Sequence, residues 1–218
     1  MVGKMERALQ NSEVLLSVIR IIQMNLDRGA PYILAIEGKG CSGKSTIAKE
    51  IERNLSEQGI ITSTIPIDNF CLPRAFRYRD DSPIGEQVYR FNFDYELFDR
   101  LIVEARTTGR LSYRHDYLNV KTDTYDGRAI YSVCPGGVLI VEGIFVLRRH
   151  LIPHYNLKIY VDISDEDQIA RARIRDIDRG NSQSQIEYKY HERYRPSYDM
   201  FLTEHRPQEI ADLLFRSQ

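Results

Sequence analysis

Apolar residues recur every three or four positions near the start of the chain, at Leu15, Val18, Ile19, Ile22 and Leu26, with Ser17, Arg20, Gln23 and Asn25 between them. That spacing predicts an amphipathic helix within residues 1–29, stopped by Gly29 and Pro31. The next run, "YILAIEG", is nearly continuous and apolar, the form taken by a strand buried on both faces of a parallel sheet. "KSTIAKEIERNLSEQG" sets Ile47, Ile51 and Leu55 four residues apart and closes on Gly59, which predicts a helix with a glycine stop. "IITSTIPID" predicts a second strand ending at Asp68, and the polar, aromatic, proline-containing segment from Asn69 to Asn92 reads as a long functional loop or the base of a lid. "DYELFDRLIVEARTTG" predicts a helix from an Asp cap to Gly109.

The pattern then changes to short alternation. Between Leu111 and Cys134 many Tyr, Thr and Val residues, with Asp126-Gly127 as a turn signal, predict a small β-hairpin inserted at 110–134. "GVLIVEG" and "LKIYVDI" predict two further buried strands. "SDEDQIARARIRDIDRG" opens acidic and closes basic, as a helix does along its dipole. A last long helix from Gln183 to His205 precedes "ADLLF", read as an edge strand. Strands alternating with helices give an α/β fold: a doubly wound parallel sheet in one domain spanning 1–218, with lid and C-terminal helices at 164–205.

The charges nearly cancel. The 218 residues hold 30 basic and 31 acidic side chains, a formal net charge of -1, so no basic footprint marks a nucleic acid or an anionic membrane as partner. The three cysteines, Cys41, Cys71 and Cys134, are odd in number and lack C-x-x-C spacing, which argues against a disulfide framework or a cysteine zinc site and fits a reducing compartment. The N-terminal helix is amphipathic rather than a signal-peptide core, and no run of 18 apolar residues occurs, so a soluble cytoplasmic protein is expected. His150, His154, His191 and His205 show no metal-ligand spacing.

The chemistry concentrates after the first strand. "GKGCSGKST" fits G-x-x-x-x-G-K-[ST], with Gly38, Gly43, Lys44 and Ser45 at the fixed places and Lys39, Gly40, Cys41, Ser42 and Thr46 completing the loop. A helix N-terminus preceded by glycines aims several backbone N–H groups at one spot, Lys44 adds a cation and Ser45 an oxygen for magnesium, so ATP and Mg2+ are the expected cofactors. Lys44 is expected on a solvent-facing loop. The loop explains the grip on phosphate and leaves the reaction open.

Two strand-end carboxylates narrow it. Asp68 could accept the proton of a substrate hydroxyl as general base, or simply open a turn before "NF". Glu142, at the end of "VLIVEG", could orient magnesium, since an acid closing an apolar run is costly unless paired. Arg171, Arg173, Arg175 and Arg179 crowd one helix, where they either cover transferred phosphate or form a solvated face balanced by neighbouring acids.

Together, "GKGCSGKST", "IDNF", "RFNFDYELFD", "YRHDY", "VLIVEGIFVL" and "KIYVDISDEDQIARARIRDIDRG" resemble the uridine kinase group of P-loop kinases, in order from about Tyr32 to Gly180. The resemblance implies a P-loop NTPase-type fold with a helical lid and an ATP-dependent kinase. Its substrate would be a small molecule, most simply the 5'-hydroxyl of a ribonucleoside, and a homo-oligomer is compatible with it. By the resemblance, Asp68 is the catalytic base beside Phe70, Asp94 binds ribose hydroxyls, Glu142 assists magnesium, and Arg175 and Arg179 are lid arginines. His115 and Tyr117 stand where the group recognises the base, in "HDY" instead of Tyr-Asp-Phe; they can stack on a pyrimidine or equally pack the hairpin. Ala172 replaces a lid arginine, and "RGNS" replaces "RGRD". Kinases for another alcohol (nicotinamide riboside, pantothenate, a sugar phosphate) and a nucleotide-binding regulator without phosphotransfer are the rival readings.

Overall fold

The computed structural model describes residues 11–177 and 180–216. Its centre is β1 (Tyr32–Gly38), buried at every position. β5 (Val138–Gly143) and β6 (Leu157–Asp162) flank it, β2 (Thr62–Pro66) and β7 (Leu213–Arg216) lie outside them, and all neighbours run parallel in the order β2-β5-β1-β6-β7. Parallel neighbours need crossover connections, and the helices of those crossovers cover both faces of the sheet.

Alternate β1 side chains feed two cores. Tyr32, Leu34 and Ile36 pack against Val18 and Ile22 of α1 (Asn11–Met24) and against Ala48, Ile51 and Leu55 of α2 (Lys44–Glu57). Ile33 and Ala35 face a core that contains Val88 of α4 (Ile84–Phe91), Phe98 and Leu101 of α5 (Tyr95–Thr108), and Phe201 of α8 (Arg195–His205). Each fully buried aliphatic or aromatic side chain among these contributes roughly 1.5–3 kcal/mol, so the strand that carries the phosphate loop is held from both sides.

Four elements depart from their sequence expectation. β2 ends at Pro66, and Asp68 sits in a 3-10 turn over Ile67–Phe70 just beyond it. The segment 69–92 is not a long loop, because α3 (Arg74–Arg77) and α4 follow Pro73 and Pro83, each proline setting an extended residue ahead of a helix start. In the hairpin, β3 (Leu111–Asn119) and β4 (Thr124–Val133) reverse at residues 120–123, and Asp126-Gly127 lies inside β4. Gly127 pairs with Tyr117, whose ring lies so close that a Cβ on Gly127 would stand 2.3 Å from Cε2; the glycine makes room for a ring and not for a turn.

The expected helix from Gln183 to His205 is α7 (Gln183–Tyr188), a π-helical turn over Lys189–Tyr194, and α8. Pro196 lacks the N–H that an unbroken α-helix would use there. α6 (Asp165–Ile177) meets this second segment through Ala172, Ile186 and Tyr190, a small separate core. The chain closes through the short α9 (Pro207–Ile210) into β7, which joins β6 at the edge as "ADLLF" suggests. Among the described residues no helix is long and apolar enough to cross a membrane.

Candidate active site

The phosphate loop leaves β1 at its C-terminal end and enters α2, whose N-cap is Gly43 at φ 95°. Gly38 is required by contact: a Cβ there would stand 2.3 Å from the Val161 carbonyl of β6. Lys44, the first residue of α2, is 7 % exposed rather than solvent-facing, and its Nζ donates to the Lys39 carbonyl at 2.7 Å. Burial pulls its pKa down, and the carboxylates of Glu142, Glu37 and Asp68 pull it back up. Ser45 Oγ donates to Glu142 Oε1 at 3.0 Å across the gap between α2 and β5. Burial raises the Glu142 carboxyl, and Lys44 and the Ser45 hydrogen bond lower it.

One residue of this neighbourhood escaped the sequence reading. Glu37 is fully buried, and its carboxylate accepts from the backbone N–H of Gly38 (2.9 Å), Phe145 (3.2 Å), Val146 (2.6 Å) and Leu147 (3.1 Å), and from the Tyr198 hydroxyl (3.2 Å). It ties the start of the phosphate loop to the turn after Glu142 and to α8. Burial pushes its carboxyl up to about 7, against the opposing hydrogen bonds and Lys44. The signal was an acid inside the apolar run "YILAIEG", the same argument that singles out Glu142.

A cavity of about 610 Å³ opens over the loop. Lys39, Gly40, Cys41, Lys44, Ser45 and Glu142 line it, and so do Asp68 and Tyr117. Asp68 is exposed to it, at the C-terminal edge of the sheet where parallel folds place ligands. From the other side come the helices after β6. Gln168 Nε2 donates to the Gly40 carbonyl at 3.0 Å, Arg171 donates to the Cys41 carbonyl at 3.2 Å, and Lys39 pairs with Asp165. Arg175 lines the cavity, held by Asp176 (Nε to Oδ1, 2.7 Å) and by the Tyr190 hydroxyl (3.1 Å). Arg179 lies outside the described residues.

The residues expected to recognise an acceptor are divided. Tyr117 lines the cavity, whereas Phe70 and His115 are 2 % and 7 % exposed and stack on each other with centroids 4.5 Å apart. His115 Nε2 donates to the Asn69 carbonyl at 2.8 Å, which makes it a strut of the hairpin against the Asp68 turn. Asp94 caps α5: its Oδ1 accepts from the Leu97 N–H at 3.0 Å. Sequence reasoning did not single out Arg74, Arg77, Tyr78 or Arg193, which also line the cavity. For Arg74, Arg77 and Tyr78 the signal was a run of cations and aromatics in the segment taken for a loop, whereas Arg193 lies in the segment read as a long helix.

The donor set suits a nucleotide and its metal. Helix N-terminal amides and a buried lysine favour phosphate, and the Ser45 hydroxyl with the Glu142 carboxylate would offer the hard oxygens that Mg2+ prefers.

Residues 33–217 match the model of the Phosphoribulokinase / Uridine kinase family. The chain is 29 % identical over 182 residues to a uridine kinase of Lactobacillus helveticus, covering 79 % of this chain and 81 % of the relative. It is 29 % identical over 181 residues to uridine-cytidine kinase B of Dictyostelium discoideum, covering 79 % and 70 %. Among solved structures it resembles a possible uridine kinase from Bacillus stearothermophilus (TM-score 0.72, 20 % identity, 95 % of this chain and 100 % of the other). It also resembles a phosphoribulokinase from Rhodobacter spheroides (TM-score 0.61, 16 % identity, 87 % and 70 %). The chain belongs to the Phosphoribulokinase / Uridine kinase family, and it is a phosphotransferase with the α/β parallel-sheet fold of the P-loop kinases.

Proposed function

We propose that this family member transfers the γ-phosphoryl group of ATP to a hydroxyl of a small molecule, with Asp68 taking the proton. The observation that carries the reading is one cavity wall bearing Lys44, Ser45 and Glu142 on the phosphate side and an exposed Asp68 beside them. The acceptor oxygen forms its bond to the γ-phosphorus as the bond to the β–γ bridging oxygen breaks. ADP leaves with that electron pair, and the hydroxyl proton passes to an Asp68 oxygen. Lys44 and the amides at the start of α2 hold the phosphates in line, and Arg175 adds charge from the lid side. Mg2+ held by Ser45 and Glu142 would neutralise phosphate charge as it moves to the leaving oxygen.

For the acceptor, the names of the relatives support the 5'-hydroxyl of a ribonucleoside, uridine or cytidine. Under that reading Asp94 meets ribose through Oδ2, since Oδ1 serves Leu97, and Tyr117 meets the base. A second reading, another alcohol, is favoured by the mutual stacking of the buried Phe70 and His115, which leaves Tyr117 as the only one of these three expected recognition residues on the cavity wall. A matched panel with ATP and Mg2+ decides: uridine, cytidine, deoxyuridine, nicotinamide riboside, pantothenate and a pentose phosphate at equal concentration. Turnover of at least one alcohol, with ADP formed in equal amount, is expected. ATP binding with no phosphorylated product from any alcohol would make the protein a nucleotide-binding regulator instead.

A further inference from the structure

Beyond Asp68 the cavity wall turns cationic. Arg77 is 7 % exposed, its Nε has no hydrogen-bond partner, and the carboxylate that faces it, Asp123, stands 3.6 Å away while accepting from the backbone N–H of Arg74 at 3.0 Å. Arg193, from the π-helical turn, also has a buried Nε without a partner, and no carboxylate among the described residues lies within 4 Å of it. Both guanidinium groups rest on one ring: Arg77 Cζ is 5.4 Å and Arg193 Cζ 4.8 Å from the Tyr78 centroid, and Arg193 donates to the Tyr78 hydroxyl at 2.6 Å. Two cations brought together on one ring, with a single carboxylate among the described residues 3.6 Å from one of them, are costly unless a further anion completes them.

The pair shares one cavity wall with Asp68 and the phosphate loop. Arg77 comes from α3 and Arg193 from the π-helical turn, elements apart from the loop that holds phosphate, so an acceptor whose hydroxyl meets Asp68 has both guanidinium groups on the same wall. Two other carboxylates of the wall are engaged elsewhere: Glu142 bonds Ser45, and Asp165 pairs with Lys39.

We infer that Arg77 and Arg193, braced on Tyr78, form an anion subsite for the acceptor, so that the molecule phosphorylated is an alcohol that already carries a phosphate monoester or a carboxylate. The inference rests on the second acceptor reading above. A planar guanidinium presents N–H groups in a fork to two oxygens of such an anion, and Arg77 and Arg193 both line the cavity that the acceptor enters.

The test uses the full chain saturated with ADP and Mg2+, so that the phosphate loop is filled. Inorganic phosphate and acetate are titrated separately by calorimetry to distinguish the two anion sources. Saturable binding of one of them is expected, weakened at least about tenfold in Arg77→Gln and in Arg193→Gln, the usual loss for a charge-assisted pair. ADP affinity should stay unchanged in both variants. Arg193 is only half-buried, so its variant keeps the test sound if Arg77→Gln melts early. In turnover, a hydroxy acid or pentose phosphate should exceed its amide or dephosphorylated counterpart, and Arg77→Gln or Arg193→Gln should collapse that ratio. Neutral alcohols turned over as well as their anionic forms, with both variants unchanged, would overturn the subsite while leaving the kinase reading intact. Arginine-dependent phosphate or acetate binding with no alcohol phosphorylated would uphold the subsite and sink the kinase reading.

Discussion

At the scale of single residues, Glu37 shows how far one buried carboxylate shapes the site. Four backbone N–H groups and a tyrosine hydroxyl converge on it, and they belong to three separate stretches of chain. Its carboxyl titrates near 7 in the fold against an ordinary value of 4.5. A raised carboxyl pKa means that the folded state binds more protons than the unfolded state between those two values. Stability from this group is therefore greatest below about 4.5, declines as pH rises toward 7, and is level above it. The decline amounts to roughly 3 kcal/mol as an upper bound. Glu37→Gln, which keeps the shape and cannot ionise, should remove this part of the pH dependence. Chemical denaturation of both proteins between pH 5 and pH 8 checks it: the wild type should lose stability relative to the variant as pH rises, and parallel curves would contradict a carboxyl titrating in that window.

At the scale of elements, legibility followed periodicity. The buried strands β1, β5 and β6 and the helices α2 and α5 were readable because unbroken apolar runs and four-residue spacing each admit one solution in a parallel sheet. The segment 69–92 was not, since its helices are short and start after prolines, and prolines with polar residues also mark loops. The Asp-Gly pair misplaced the hairpin turn for a related reason: a glycine in a strand can serve a neighbouring ring, and sequence alone does not say which ring crosses it. Within the site, the place of the phosphate loop, Asp68 and Glu142 on one cavity was legible from motif and position near strand ends, their roles remaining the proposal. The Phe70–His115 stack and the arginine pair depend on contacts between distant elements and were not. The hairpin makes its own prediction. Gly127→Ala places a methyl group into the Tyr117 ring, which must swing from its place on the cavity wall. The expected result is a raised KM for the acceptor with KM for ATP unchanged, read from initial rates varied in each substrate. Unchanged acceptor KM would remove Tyr117 from the acceptor wall.

At the scale of the whole molecule, the sheet brings the phosphate loop and the proposed base to one edge. β1 delivers the phosphate loop, β5 delivers Glu142, and the turn after β2 delivers Asp68, all at the C-terminal ends of parallel strands. The segment from α6 to α8 reaches over that edge through Gln168, Arg175 and Arg193, so the cavity is closed by parts of the chain more than a hundred residues apart. The central claim, that this edge performs phosphoryl transfer with Asp68 as base, is tested most directly by Asp68→Asn. Single-turnover transfer from labelled ATP is measured with the best acceptor from the panel, and nucleotide affinity is measured separately by equilibrium binding. ATP affinity should be retained while the transfer step slows by about two to four orders of magnitude, the usual loss with a general base. A variant that transfers at the wild-type rate but binds ATP weakly would contradict the account and assign Asp68 to the nucleotide and its metal.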